Sequence, residues 1–251
     1  IYISNGSVTG VQVNNSYDIS TDIVVLAIGH SARDTFHLLY DKGINMRPKN
    51  FAVGVRIEHP RSMIDWNQYG KFSKVLGAAS YKLTHTTSSG RGVYSFCMCP
   101  GGFVVNASSE EGRLVVNGMS NYKRDEKNSN SALVVTVGPK DFGDNPMDGI
   151  EFQRKLEEKA YIAGKGFIPV QLYKDFCLGK VSTSFGEFSP NTKGNYNFSN
   201  LCDVLPEFVV SSLKEGIEVF SKNIKGYNRD DAILLGVETR TSSPVVIERD
   251  L

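Results

Sequence analysis

The sequence is short of most features that would classify it at a glance. Cysteine occurs 4 times in 251 residues, at Cys97, Cys99, Cys177 and Cys202. That is too sparse for a disulfide framework in a chain this long, and it points to a reducing, cytoplasmic setting. The longest apolar run, Ile23 to Ile28, falls far short of the roughly 20 residues a membrane helix needs. Neither sign of charge dominates: 28 Lys and Arg against 27 Asp and Glu leave a formal net charge of +1, so nucleic acid is not an expected partner. No P-loop, EF-hand loop or Ser-His-Asp arrangement can be read. The histidines and cysteines lack the paired spacing of zinc ligands, and no metal is expected. Internal repeats and low-complexity tracts are absent too.

What is present is an ordinary globular composition, 40% hydrophobic and 22% charged, with length enough for a core. Residues 1 to 35 read as β, with turns at Asn5-Gly6 and Asn14-Asn15-Ser16. The β-branched run Ile23–Ala27 has the look of a strand covered on both faces. A short helix is expected from Ser31, whose hydroxyl can cap it, to Gly43. Short strands follow over Phe51–Ile57, Val75–Leu83, Gly92–Met98, Phe103–Ala107, Leu114–Gly118 and Leu133–Val137, a density that favours a barrel or sandwich. Helical signals then take over. Phe152, Leu156, Ala160 and Ala163 form a stripe, with Glu151–Lys155 and Arg154–Glu158 at the i,i+4 spacing. Pro169 suits the first turn of a second helix ending near Gly179. Pro206 opens a third, with Val209, Leu213, Ile217, Phe220 and Ile224 on its stripe and Gly226 as its stop. A last strand runs from Ala232. The expected fold class is therefore α+β or α/β, with partial strands of one domain at both termini enclosing a β-barrel-like subdomain and a helical subdomain.

Several strings in this order carry a resemblance: VVLAIGHSARDTF (24–36), FAVGVRIEHP (51–60), GRGVYSFCMCPGG (90–102), NGMSNYKRD (117–125), NSALVV (130–135) and ETRTSSPVVI (238–247). Together they resemble the bacterial FAD-dependent dehydrogenases of uncharacterised substrate, flavoproteins with a two-part insert in the FAD domain. The resemblance covers nearly the whole chain. It implies a partial FAD-binding domain over 1–45, a β-barrel-like insert over 46–140, a helical insert over 141–229 and a return strand of the FAD domain over 230–251. It also implies FAD as cofactor, NAD(P)H as a candidate electron donor, and a chain that is an internal piece whose partners are the missing N- and C-terminal parts of the FAD domain. The Gly-x-Gly-x-x-Gly turn that holds the FAD pyrophosphate in such proteins is not in this sequence; Gly164-Lys165-Gly166 runs into Phe167-Ile168-Pro169 instead. The piece alone is thus not expected to hold FAD. An alternative role, suggested by other flavoprotein inserts, is an RNA-binding module.

The resemblance assigns nucleotide contacts to the turn Ala27, Gly29, His30 and Ser31, where a glycine lets backbone approach a cofactor. It places Thr239, Thr241 and Ser242 beside the flavin or its substrate. Arg240 could stabilise negative charge on reduced flavin or bind an anionic substrate; alternatively it pairs with Glu238 or Asp250. Cys97 and Cys99, two apart on a strand, should share a face, and a thiol near a flavin could relay electrons. The competing reading is two free cysteines without chemistry, since adjacent same-face positions make strained disulfides. His59, His85, Arg56 and Arg91 are weaker candidates for acid–base work or anion binding.

Overall fold

The computed structural model describes residues 1–249. The chain begins with an antiparallel meander of β1 (Tyr2–Ser4), β2 (Ser7–Val13) and β3 (Tyr17–Ser20). Asn5-Gly6, both at positive φ, make the tight turn that suits a twisted hairpin, and Asn14-Asn15 serve the second bend the same way. After α1 (Arg33–Asp41) and β4 (Met46–Pro48) come β5 (Phe51–Pro60), α2 (Arg61–Tyr69), β6 (Thr84–Thr86) and β7 (Gly92–Cys99). Then follow β8 (Phe103–Asn106), β9 (Val116–Met119), β10 (Asn128–Val137), α3 (Pro139–Phe142) and α4 (Asp148–Ala163). The rest is β11 (Ile168–Leu172), α5 (Tyr173–Leu178), β12 (Thr192–Lys193), β13 (Tyr196–Phe198), α6 (Glu207–Phe220), β14 (Ile233–Glu238) and β15 (Val245–Ile247).

The centre is a seven-stranded sheet in the order β13-β11-β14-β5-β10-β7-β6, antiparallel throughout except for the β11–β13 edge. β5 and β10, ten residues each and buried almost end to end, form its axis. On one face Val53, Val55, Ile57, Leu133 and Val135 meet the buried stripe of α6, namely Val209, Leu213, Ile217 and Phe220. The other face carries Ala52, Arg56, Glu58, Asn130 and Ala132, and it is covered by β9 of a small sheet ordered β12-β8-β9. One face is therefore apolar under a helix, and the other is polar and equally buried. The second face holds Arg56 and Glu58, both fully buried.

The architecture is a mixed α+β fold, and several expectations need correcting. The strands of 46–140 do not close into a barrel: among the described residues β13 and β6 remain as open edges. In the sheet, β14 lies between β11 and β5. Ile23–Ala27 forms no strand. No neighbour lies alongside to complete its hydrogen bonds, and Ile23 and Val25 are left 75% and 83% exposed. Val75–Leu83 is irregular too, with Val75 and Leu76 exposed. Pro169 opens no helix: it sits near the start of β11, where its missing N–H costs least, and the helix begins four residues later. α2 was not foreseen at all.

Candidate functional site

The turn at 29–33 and the loop at 238–242 meet, although some 200 residues separate them. Three elements build the junction: the start of α1, the end of β14 and the buried side of α4. On α4, Gln153 and Glu157 fall one turn apart on the same face as Ile150, Leu156 and Ala160, so a carboxylate enters the interior. Glu157 accepts from Arg33 at 2.8 and 3.0 Å, from Arg240 Nε at 3.0 Å and Nη2 at 2.8 Å, and from the Thr239 hydroxyl at 2.7 Å. Gln153 accepts from Arg33 at 3.1 Å and donates to the Thr239 carbonyl at 2.8 Å. Glu110, from the loop between β8 and β9, adds a second carboxylate to Arg33 and receives Arg154 at 2.8 Å.

Charge-assisted, paired hydrogen bonds of this kind are the strong ones, and here both charges are out of water. Burial alone would push the Glu157 carboxyl up, but the hydrogen bonds of Arg240 and Arg33 outweigh it and hold its pKa below the ordinary range. The same contest at Glu110, burial against Arg154 and Arg33, ends with its pKa at about 2. At His30, half buried beside Arg240 and Arg33, burial acts together with the charges. Burial first, then the two guanidiniums, lower its pKa and keep the ring neutral.

A second buried cluster lies on the polar face of the sheet. Arg56, with no exposed surface, donates to Asn130 at 2.9 Å, Asn117 at 3.1 Å, Glu238 at 2.9 Å and the Cys97 carbonyl at 2.6 Å. Gly118 lies against its guanidinium, and a Cβ there would collide with it. Burial pushes the Glu238 carboxyl up, and Arg56 offsets only part of that. Since Glu238 ends β14 and Arg240 follows two residues on, the two clusters are rigidly linked.

The cysteines do not share a face. Between β7 and β10 the register slips, so that Cys97 and Met98 stand opposite Ser131 alone, a bulge with Cys97 at φ +46°. Cys97 is turned outward and Cys99 is buried, both as free thiols. Burial raises the Cys99 pKa, with Arg56 opposing, and its Sγ lies 3.7 Å from that guanidinium.

Of the remaining sequence candidates, Arg240, Ser31, Thr241, His59, His85 and Arg91 are engaged by protein. Arg240 spends its donors on Glu157, Ser31 and Ser109, which gives it a fastening role. Of its two anticipated partners, Glu238 belongs to Arg56, and Asp250 lies outside the described residues. The Ser31 hydroxyl accepts from Arg240 at 3.0 Å and does not cap α1, whose N-cap position is Ala32. Thr241 donates to the Ala52 carbonyl at 3.0 Å. Ala27 and Ser242 take no part in the Glu157 junction. His59 donates to the Tyr227 carbonyl at 2.7 Å, and burial lowers its pKa to about 4. His85 is held by Glu215 and Arg91 by Asp141. Sequence reasoning missed Arg33, Gln153 and Glu157. Their one visible signal was a Gln and a Glu on the apolar stripe of α4, whereas the surface pairs expected there give way to Arg154 with Glu110 and Glu151.

The hydroxyls of Ser31, Thr239 and Thr241 are all committed to protein, and no glycine-rich phosphate turn is present. Gly29, at φ +68°, is the open point: a Cβ there would meet nothing within 4 Å. A cavity of about 940 Å³ lies between 43–47 and 246–249, and none of the anticipated contact residues lines it. Among the described residues no group of three His, Cys, Asp or Glu is placed to hold a metal ion, and no helix is long and apolar enough to cross a membrane.

Residues 50–241 match the family described as FAD-dependent protein, C-terminal domain-like. The chain is also 52% identical over 256 residues to an uncharacterized protein of Clostridium beijerinckii; the alignment takes in 100% of this chain and 48% of that relative. The chain therefore spans about half the length of the relative it matches.

Proposed function

The chain belongs to the FAD-dependent protein family through its C-terminal domain-like region, and on that premise we propose that it is the cleft-shaping part of an FAD-dependent oxidoreductase, a dehydrogenase whose flavin is held mainly by protein outside residues 1–251. One observation carries this reading: the Glu157 junction, which holds the 29–33 turn beside the 238–242 loop. With the side chains of Arg33, Arg240 and Thr239 spent on that junction, what the edge offers a neighbour is backbone, at Gly29 and His30 and again at Ser242. The uncovered apolar run at 23–26 fits the same reading, since in a nucleotide-binding sheet such a run would lie between strands.

When bound, FAD supplies the electron and hydride chemistry. The part of this chain is to position: Glu157 fixes the edge, Arg56 fixes the end of β14, and His30 is kept neutral beside both guanidiniums. NADH or NADPH is the proposed donor. The test compares this chain with a protein of the relative's full length. Equilibrium dialysis should give FAD retention only for the longer protein, and anaerobic NADH or NADPH should bleach its visible bands. A longer protein that binds no flavin would refute the reading.

A further inference from the structure

The near-neutral total charge hides a local excess. α2 and the loop before β10 enclose a groove of about 620 Å³ lined by Arg61, Trp66, Lys74, Lys123, Arg124 and Lys127. Among the described residues only Arg61 has a carboxylate within pairing distance, Asp65 at 3.5 Å, and that carboxylate is itself buried and accepts from the Ala79 N–H. The neighbouring Glu126 is turned away to the Asn191 amide at 3.0 Å. Trp66, the only tryptophan in the chain, is 62% exposed at the groove instead of buried in the core.

The backbone that carries Arg124 and Lys127 is fixed to Arg61. The Arg124 carbonyl accepts from the Arg61 guanidinium at 3.1 Å, and the Lys127 carbonyl accepts from the Arg61 N–H at 2.9 Å. Gly101 packs directly against the Arg124 carbonyl, where any Cβ would overlap it. The Pro100-Gly101-Gly102 string thereby gains a purpose, since it seats this loop. A second groove, of about 720 Å³, shares Ser62 and Trp66 with the first and continues to Lys225 and to Arg229, which is paired with Glu187 on the same wall. The two grooves therefore meet at Ser62 and Trp66 and form one track.

We propose that this track binds single-stranded nucleic acid, with Trp66 stacking on a base and Arg61, Lys74, Lys123, Arg124 and Lys127 meeting the backbone phosphates. A positively charged groove interrupted by an exposed aromatic face is the recurrent solution for strands read without sequence preference. A membrane surface would call instead for a convex apolar face inserted between headgroups, and Trp66 lies in a concavity. The site is independent of the FAD reading.

The test is fluorescence anisotropy of a labelled oligouridylate of roughly 12 nucleotides, long enough for the site sizes such grooves show. The 251-residue chain should bind it at about 50 mM salt and weaken roughly 130-fold by about 200 mM, the slope expected for about five phosphate contacts on a single strand. Quenching of Trp66 fluorescence should follow the same curve. The double change Lys123→Glu/Lys127→Glu should weaken binding more than about tenfold, and Trp66→Ala about tenfold. Lys155→Glu/Lys159→Glu, on the exposed side of α4, should leave it unchanged, with circular dichroism confirming that each variant is folded. The proposal is overturned by absence of binding at low salt, by indifference to Lys123→Glu/Lys127→Glu, by uridine monophosphate competing as well as the oligomer, or by association with phosphatidylserine vesicles without RNA binding.

Discussion

Replacing Glu157 by Gln keeps the shape of the side chain but removes the one negative charge that Arg240 faces. Arg33 keeps Glu110 and Gln153, so the loss falls mainly on Arg240, which is left with the Ser31 and Ser109 hydroxyls. Breaking one partner of a buried pair costs about 3–5 kcal/mol, and the surviving contacts place this case at the lower end, about 3 kcal/mol. For a chain this long that corresponds to a fall in Tm of about 6–12 °C. Urea unfolding of wild type, Glu157→Gln, Arg240→Met and the double variant measures it. The two single losses should overlap by about 1–3 kcal/mol, because the groups share one site. A cost below about 1 kcal/mol for Glu157→Gln, or strict additivity in the cycle, would refute the claim that this carboxylate fastens the two segments.

Other consequences can be measured directly. Burial raises the Glu58 carboxyl from 4.5 to about 8, so the folded state holds that proton more tightly; the stability it contributes is complete below pH 4.5 and is lost as pH rises towards 8. His59, lowered to about 4, works in the opposite sense between pH 4 and 6.5, so the uncompensated decline of about 2 kcal/mol lies between pH 6.5 and 8. Urea midpoints across that range should show the decline, and Glu58→Gln should flatten it; an unchanged slope in the variant would contradict the assignment. Iodoacetamide should label Cys97 in the native chain and reach Cys99 only after denaturation, read by peptide mass spectrometry. A Cys97–Cys99 disulfide under mild oxidation would overturn the bulge geometry.

Local patterns that need only their own neighbours were legible in the sequence. Asn5-Gly6 announced a hairpin because few other residues accept its backbone, and the α6 stripe announced a helix because every fourth side chain had to be apolar. Patterns that depend on distant partners were not. Ile23–Ala27 has strand-like residues but no strand beside it, and Pro169 has a helix-opening residue's profile at a place where a sheet begins. The bulge that separates Cys97 from Cys99 depends on one extra residue relative to β10, which no spacing rule within β7 reveals. The strings at both ends meet in space, yet the carboxylate that joins them sits in α4. An ionisable residue on an apolar stripe was the signal to follow.

The proposed function has this chain shape a flavin site whose phosphate cradle is supplied by protein outside residues 1–251. The most direct measurement is the flavin content, by absorbance near 450 nm after exhaustive dialysis against FAD-free buffer, of this chain and of a protein with the relative's full length, purified side by side. The account predicts flavin bands in the longer protein and none in the 251-residue chain. Stoichiometric FAD retained by the chain alone would contradict it.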